Sequence, residues 1–340
     1  MENIFLESLV SDQTRKSYKR GLAKFSEFYP KGPKGLLGEE DPAKIIERYY
    51  VWLKKKYKQN TCRSLTNPII QYVKYNNIPL NIRRSLGVFR TTLTTRDHIL
   101  TSDEARAMYD VSSLEEKVLV KTWLLGLRIG DACRLEWKQF NFESTDDLKE
   151  TLVYTKKEGI VAHCYIDPEF QELLVKHILT LDQKNPYLFQ SERKGHLSEK
   201  QMLRKIQSLQ RRAQIKAHGS FNWHIARKLF LRVCAENGVT SWNAKLMCGK
   251  QVDKSIKTYI NHVNLKKDAI KVSRVLRMDP VKNNGRVGNL EETVQLVTKA
   301  FGQFLRKMLK EEGYGTEIGF TVDYDKMSDE ELIKWYLGER

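Results

Sequence analysis

Apolar positions recur at helical spacing along most of this chain. In residues 11–29, SDQTRKSYKRGLAKFSEFY, Tyr18, Leu22, Phe25 and Phe28 fall three or four apart with basic residues between them, after a Ser/Thr-containing start. That spacing predicts a helix with one core face and one cationic face. The stretches DPAKIIERYYVWLKKKY (41–57) and LTNPIIQYVKYNN (65–77) repeat it, so the first 85 or so residues read as a small basic helical bundle. Periodicity is lost in RRSLGVFRTTLTTRDHIL (83–100), which reads as a cationic linker, and a second domain opens at LTSDEARAMYDVSS. There Thr101 and Glu104 have capping-box spacing ahead of an apolar run. The boundary is expected near residue 95.

Within the second domain EEKVLVKTWLL predicts a helix ending at Gly126, and RIGDACRLEWKQF a second helix after it. ETLVYTKKEGIVAHCYID (150–167) is the one clear strand-like stretch, two β-rich runs around the turn KKEG. FNWHIARKLFLRVCAENG (221–238), TSWNAKLMCG (240–249) and VDKSIKTYINHV (252–263) predict three helices separated by glycines at C′ positions. Beyond the loop KNNGRVGN, residues 291–313 carry Val294, Val297, Phe301, Phe304, Leu305 and Met308 on one helical stripe. The fold class is therefore mainly α with a small β-sheet (α+β).

Charge narrows the class of partner. The chain has 59 Lys and Arg against 42 Asp and Glu, a net charge of +17, which suits a polyanion, because clustered cations displace counterions from phosphates. Residues 280–340 hold 9 basic and 11 acidic residues, leaving 50 against 31, a surplus of 19, on residues 1–279. The polyanion is expected on the earlier part. Cys62, Cys133, Cys164, Cys234 and Cys248 are odd in number, far apart and without a C-x-x-C pair, which suggests neither disulfides nor zinc and fits an intracellular setting. No apolar run reaches the roughly 18 residues of a membrane span, and the start lacks a signal-peptide pattern.

Chemistry on a phosphodiester needs a nucleophile, fixed cations for the developing charge, and an acid for the leaving oxygen. Candidates occur in one order: Arg128 in GLRIGDACRLEW, Lys156 on the hairpin TKKEG, His224 and Arg227 at i and i+3 in HIARK, Lys250 after Gly249, and Tyr259 nine residues later. Each alone has a plain reading. An arginine opening a helix and a hairpin lysine are ordinarily solvated, His224 fits a half-buried imidazole, and Tyr259 fits a core aromatic beside Val252, Ile256 and Ile260. The ordered set is what carries meaning.

That set resembles the tyrosine recombinases, the phage and plasmid integrases and their chromosomal relatives. GLRIGD supplies Arg128, with Asp131 where the family has an acid that braces this arginine; TKKEGIVAH supplies Lys156, HIAR supplies His224 and Arg227, and CGKQVDKSIKTY supplies Lys250 and Tyr259. SDQTRKSYKRGLAKFSEF looks like the first helix of the family's core-binding domain, and LTSDEARAMY like the opening of its catalytic domain. Three positions depart. Lys228 stands where a second histidine is usual, Lys250 replaces a His or Trp as in archaeal virus and plasmid integrases, and Lys157 adjoins Lys156, so either lysine fits the acid.

The resemblance implies a helical, DNA-binding core-binding domain over 1–92, a catalytic domain over 96–275 and an extension over 280–340 with a possible protomer contact. It implies a site-specific recombinase in which Arg128, Arg227, His224 and Lys250 hold the scissile phosphate. Tyr259 attacks to give a 3′-phosphotyrosyl bond, and Lys156 protonates the departing 5′ oxygen, without ATP, metal or cofactor. Double-stranded DNA, a homotetramer on paired sites and accessory DNA-bending proteins are the implied partners. A helix exchanged between protomers is looked for in 264–278 or 291–313. The alternatives are a catalytically inactive, recombinase-like DNA-binding protein, a type IB topoisomerase and, on charge alone, an RNA-binding protein.

Overall fold

The computed structural model describes residues 2–82, 97–140, 148–278 apart from 183, 193, 194 and 253–261, and residues 302, 306, 327–329, 331 and 332. The helix expected over 252–263, including Tyr259, lies almost wholly outside the described residues, as do most of 83–100 and all but residues 302 and 306 of 291–313. The chain divides into two compact units, Met1–Arg96 and Asp97–Arg340.

The first unit is helical: α1 (Glu2–Glu7), α2 (Asp12–Phe28), the one-turn α3 (Gly32–Gly35), α4 (Pro42–Lys54) and α5 (Gln59–Tyr75). Ser11 caps α2, its hydroxyl accepting from the Thr14 N–H at 3.4 Å, and Asp41 caps α4 by accepting from the Lys44 N–H at 3.1 Å. The predicted apolar stripes meet in one core of Leu22, Phe25, Ile46, Tyr49, Leu53, Ile69 and Val73. Helices α2 and α5 approach closely at Gly21, where a Cβ would stand 2.6 Å from Pro68 Cγ. Helix α5 begins at Gln59 rather than near 65, because its first turn is polar apart from the buried Cys62 and gives little apolar period to read. On the surface, Lys56 lies 4.3 Å from the centre of the Trp52 ring, and Lys24 lies 5.8 Å from both Trp52 and Tyr57.

The second unit contains α6 (Ser102–Asp110), α7 (Leu114–Leu124), α8 (Ile129–Ala132), strands β1 (Lys149–Thr155) and β2 (Ile160–Ile166), α9 (Pro168–Ile178), a two-residue strand pair β3 (Gln190–Ser191) and β4 (Gly195–His196), α10 (Glu199–Arg212), α11 (His224–Glu236), α12 (Ser241–Met247) and α13 (His262–Val275). Together the units are mainly helical with small antiparallel strand pairs, the α+β class. Residues 118–124 of α7 are all buried, so this helix runs through the core and shows no amphipathic stripe. Its Lys121 keeps its charge inside by pairing with Asp167 at 2.8 Å and Glu169 at 2.9 Å. Leu265, Ala269 and Val272 of α13 are buried in the same core, and Asp268 accepts from Asn243 Nδ2 at 2.8 Å. Most of the 264–278 segment considered for exchange therefore packs on its own unit.

The second helix expected from RIGDACRLEWKQF shrinks to the single turn of α8. The Leu188 N–H donates to the Leu135 carbonyl at 2.8 Å and the Trp137 N–H to Pro186 at 3.0 Å, pulling the backbone out of helical pairing. Helix α10, with a Ser198 and Gln201 capping box and Met202, Ile206 and Leu209 buried, is an element beyond those expected from the sequence. No helix among the described residues is long and apolar enough to cross a membrane. All five cysteines are unpaired and buried, and burial raises each thiol above its ordinary range.

Candidate active site

Three local devices bring distant parts of the second unit together. Helix α7 ends at Gly126, whose φ of +73° turns the chain into Leu127 and Arg128. The next junction is made by two indoles: Trp223 donates to the Leu127 carbonyl at 2.8 Å, and Trp123 to the Trp223 carbonyl at 2.8 Å. They place the start of α11 beside the start of α8. Third, α12 ends in a Schellman turn, the Gly249 N–H bonding to Leu246 at 3.1 Å and the Lys250 N–H to Lys245 at 2.8 Å, with Gly249 at φ +65°.

Arg128 and Arg227 converge on that turn. Arg128 Nη1 donates to the Gly249 carbonyl at 2.8 Å, while Arg227 Nη1 donates to Cys248 at 2.7 Å and to Gly126 at 2.9 Å. Arg227 is 9% exposed, and burial lowers its proton affinity from the usual guanidinium range, with the neighbouring Arg128 charge acting the same way. The second nitrogen of Arg128 is paired with Glu158 in the β1–β2 turn.

His224 is exposed at the first position of α11. Partial desolvation, then the charges of Arg227 and Arg128, and more weakly Lys157, hold its imidazole below the usual range. The charges of both arginines and of Lys157 are thus felt at one imidazole. Its backbone is held by a chain running back to the first residue of the unit: the His224 N–H donates to Asn222 Oδ1 at 2.9 Å, and Asn222 Nδ2 donates to Asp97 Oδ1 at 2.9 Å. Lys228 completes it by pairing with Asp97 Oδ2, and this contact, with Asn222, keeps the Asp97 carboxyl below its usual range. Lys228, the departure from the usual second histidine, is part of this support.

Lys156 and Lys157 open the turn between β1 and β2, both exposed, and the register pairs Thr155 with Ile160 across it. Asp131, 5% exposed, accepts from the Lys156 backbone N–H at 3.1 Å and from Arg134 Nη2 at 3.3 Å. In this structure Asp131 therefore anchors the hairpin, and the carboxylate that pairs with Arg128 is Glu158. Lys250 is exposed immediately after the Schellman turn. Tyr259 lies outside the described residues. Of two tyrosines on the hairpin strands, Tyr165 has its phenol pushed well above the ordinary range by burial and Glu150, to which it donates at 3.1 Å, and Tyr154 is 65% exposed.

Glu158, Asn222 and Asp97 also belong to this arrangement and carry no motif in the sequence. Their only sequence signal is proximity: Glu158 follows the two hairpin lysines, and Asn222 stands two residues before His224. Among the described residues no group of His, Cys, Asp and Glu could hold a metal ion. The arrangement offers two guanidiniums on neighbouring carbonyls of one backbone turn, with an imidazole that feels both of them and the charge of Lys157, a set suited to an oxyanion of phosphorus.

Residues 98–266 match the phage integrase family, and no match is found among curated proteins. Among solved structures, a lambda integrase tetramer bound to a Holliday junction superposes with a TM-score of 0.55 at 16% identity, covering 76% of this chain and 75% of that one. XerH site-specific recombinase bound to palindromic difH substrate, a post-cleavage complex, gives 0.55 at 15% identity over 75% and 78%. Lambda integrase residues 75–356 bound to DNA gives 0.53 at 16% over 83% and 96%. At these identities the likeness is one of fold.

Proposed function

Residues 98–266 of this chain form a phage integrase family domain, a tyrosine recombinase domain, and from that premise we propose that the protein is a site-specific DNA recombinase that cuts and rejoins strands without ATP. The observation carrying this reading is that Arg128 and Arg227 donate to the consecutive carbonyls of Gly249 and Cys248, with His224 and Lys157 within electrostatic reach of them. A phosphate between two guanidiniums has its developing charge met by fixed donors.

In the proposed reaction Arg128, Arg227 and Lys250 hold the non-bridging oxygens. His224, which the resemblance places among the phosphate-holding residues, is here also the proton acceptor, its imidazole being held below the usual range: Tyr259 Oη attacks phosphorus and its proton passes to His224. The P–O5′ bond breaks, and Lys156 delivers a proton to the departing 5′ oxygen. The 3′-phosphotyrosyl ester keeps the bond energy, so a 5′ hydroxyl of a partner strand reverses the attack. Double-stranded DNA is the substrate, and paired sites call for a tetramer. The basic first unit, with Lys24 and Lys56 around Trp52, suits the phosphate backbone.

The test is a nicked duplex carrying a candidate site from DNA flanking the protein's own gene. A denaturant-resistant protein–DNA band, absent with Tyr259→Phe, supports the reading, and strand exchange between two sites separates a recombinase from a type IB topoisomerase. Tight binding with no band on several sites instead favours a non-catalytic DNA-binding protein.

A further inference from the structure

Glu158 occupies one edge of the Arg128 guanidinium. Its Oε1 is paired with Arg128 Nη2, and the two side chains are 22% and 17% exposed. Its charge also favours the protonated form of Arg227, so one carboxylate serves both guanidiniums that would bind phosphate. The turn carrying it is anchored elsewhere: the Lys156 N–H is held by Asp131 at 3.1 Å, and the Glu158 carbonyl accepts from Gln251 Nε2 at 3.4 Å. The side chain can therefore leave Arg128 by rotation while the backbone of the turn stays in place.

Resting on the recombinase reading above, we propose that Glu158 is a specificity-determining residue: an internal carboxylate that occupies the phosphate position at Arg128 and yields only to a phosphate presented within a bound duplex. Carboxylate and phosphate compete for the same planar fork of N–H donors. A free anion meets this competitor at its bulk concentration. A scissile phosphate on DNA held by the rest of the protein meets it at a far higher effective concentration, and displaces it. The two arginines then keep one negative charge beside them in the free protein and exchange it for another on loading, which limits the burial of unpaired cations.

The experiment is titration of the full chain with inorganic phosphate, followed by calorimetry, for the wild type, Glu158→Gln, Glu158→Asp and Glu158→Ala. Glu158→Gln and Glu158→Ala are expected to bind phosphate about tenfold more tightly than the wild type, since removing a nearby like charge favours the anion. Glu158→Asp keeps the charge and stays within about threefold of the wild type, and Arg128→Ala added to Glu158→Gln removes the gain. Unchanged or weaker phosphate binding in both neutral variants overturns the proposal, as does a gain that survives loss of Arg128. If both neutral variants melt far below the wild type, Glu158 holds the fold and the proposal falls. No step here uses Tyr259, so failure of the covalent-adduct assay with tighter phosphate binding rejects the recombinase chemistry and leaves the competing carboxylate in place.

Discussion

Arg128 donates to the carbonyl oxygen of Gly249 at 2.8 Å across 121 residues of sequence, so the first cation of the motif is positioned by the turn that precedes the last part of it. Gly249 is suited to this place for two reasons. Its φ of +65° is costly for other residues, and an added Cβ would lie 2.3 Å from Thr155 Cγ2 and 3.0 Å from Ala162 Cβ on the hairpin strands.

Gly249→Ala is therefore expected to push the turn away from the β-hairpin and lower the rate of covalent-adduct formation at least tenfold, with binding to a duplex little changed. Because the nearest clash is with a methyl group, adding Thr155→Ser, which keeps the hydroxyl that donates to Ile160 at 2.9 Å, should recover part of the loss. The backbone cost of about 1 kcal/mol should remain. Thermal melts and adduct rates of the single and double variants check this.

Arg227 differs from Arg128 in what its loss leaves behind. Removing it orphans the Gly126 and Cys248 carbonyls in the interior, at about 1–3 kcal/mol for each unpaired group. Arg227→Ala should lower stability as well as cleavage, and Arg227→Lys should not restore either, since an ammonium lacks the fork. Arg128→Ala should lower cleavage by orders of magnitude with a smaller drop in melting temperature. Denaturant titration beside the adduct assay separates the two.

Asp131 holds the backbone of the hairpin at Lys156. With Asp131→Ala, the Lys156 N–H loses its acceptor, and the adduct rate is expected to fall about 10–100-fold, as for a misplaced acid, while duplex affinity stays within about twofold.

A duplex with sulfur in place of the leaving 5′ oxygen identifies the acid itself, because a thiolate leaves without a proton. Lys156→Ala should regain its rate on that substrate, and recovery by Lys157→Ala instead would move the role one residue on.

The pH dependence of stability has a definite sign. His177 is buried, donates from Nε2 to the Leu188 carbonyl at 3.1 Å, and has its pKa lowered from the ordinary 6.5 chiefly by burial. The unfolded chain takes up a proton that the folded imidazole refuses, so this contribution is whole above about pH 6.5 and is lost as the pH falls below it. His224 acts in the same direction. Denaturant titrations at pH 7.5 and 5.5 should show the loss, and His177→Gln, whose amide can still donate to Leu188, should reduce it.

Helices α2 and α4 were legible because each has one apolar face and a capping residue at its start, α11 from its apolar spacing alone, since Trp223 gives it no side-chain cap, and the hairpin because two β-rich runs flank KKEG. Arg128, His224 and Arg227 were legible from their order along the chain, which resembles the tyrosine recombinase pattern. Helix α7 offered no stripe, being buried on all sides, yet its length could be read from its apolar content and Gly126. What could not be read is long-range pairing. The Leu135 carbonyl leaves helical geometry for Leu188, Glu158 pairs with Arg128, and Asp97 reaches Asn222 and Lys228. A charged residue shows its partner only once the fold has brought the two together.

The five buried cysteines have a practical consequence. Each thiol is shielded, and each is shifted toward its unreactive protonated form, so none offers a ready thiolate at neutral pH. A cysteine introduced at an outward hairpin position such as Leu152, which is 53% exposed, would be the fast-reacting site on an otherwise unaltered chain. A fluorophore attached there would report any movement of the turn bearing Lys156 and Glu158 on titration with duplex DNA, with every candidate catalytic residue still native.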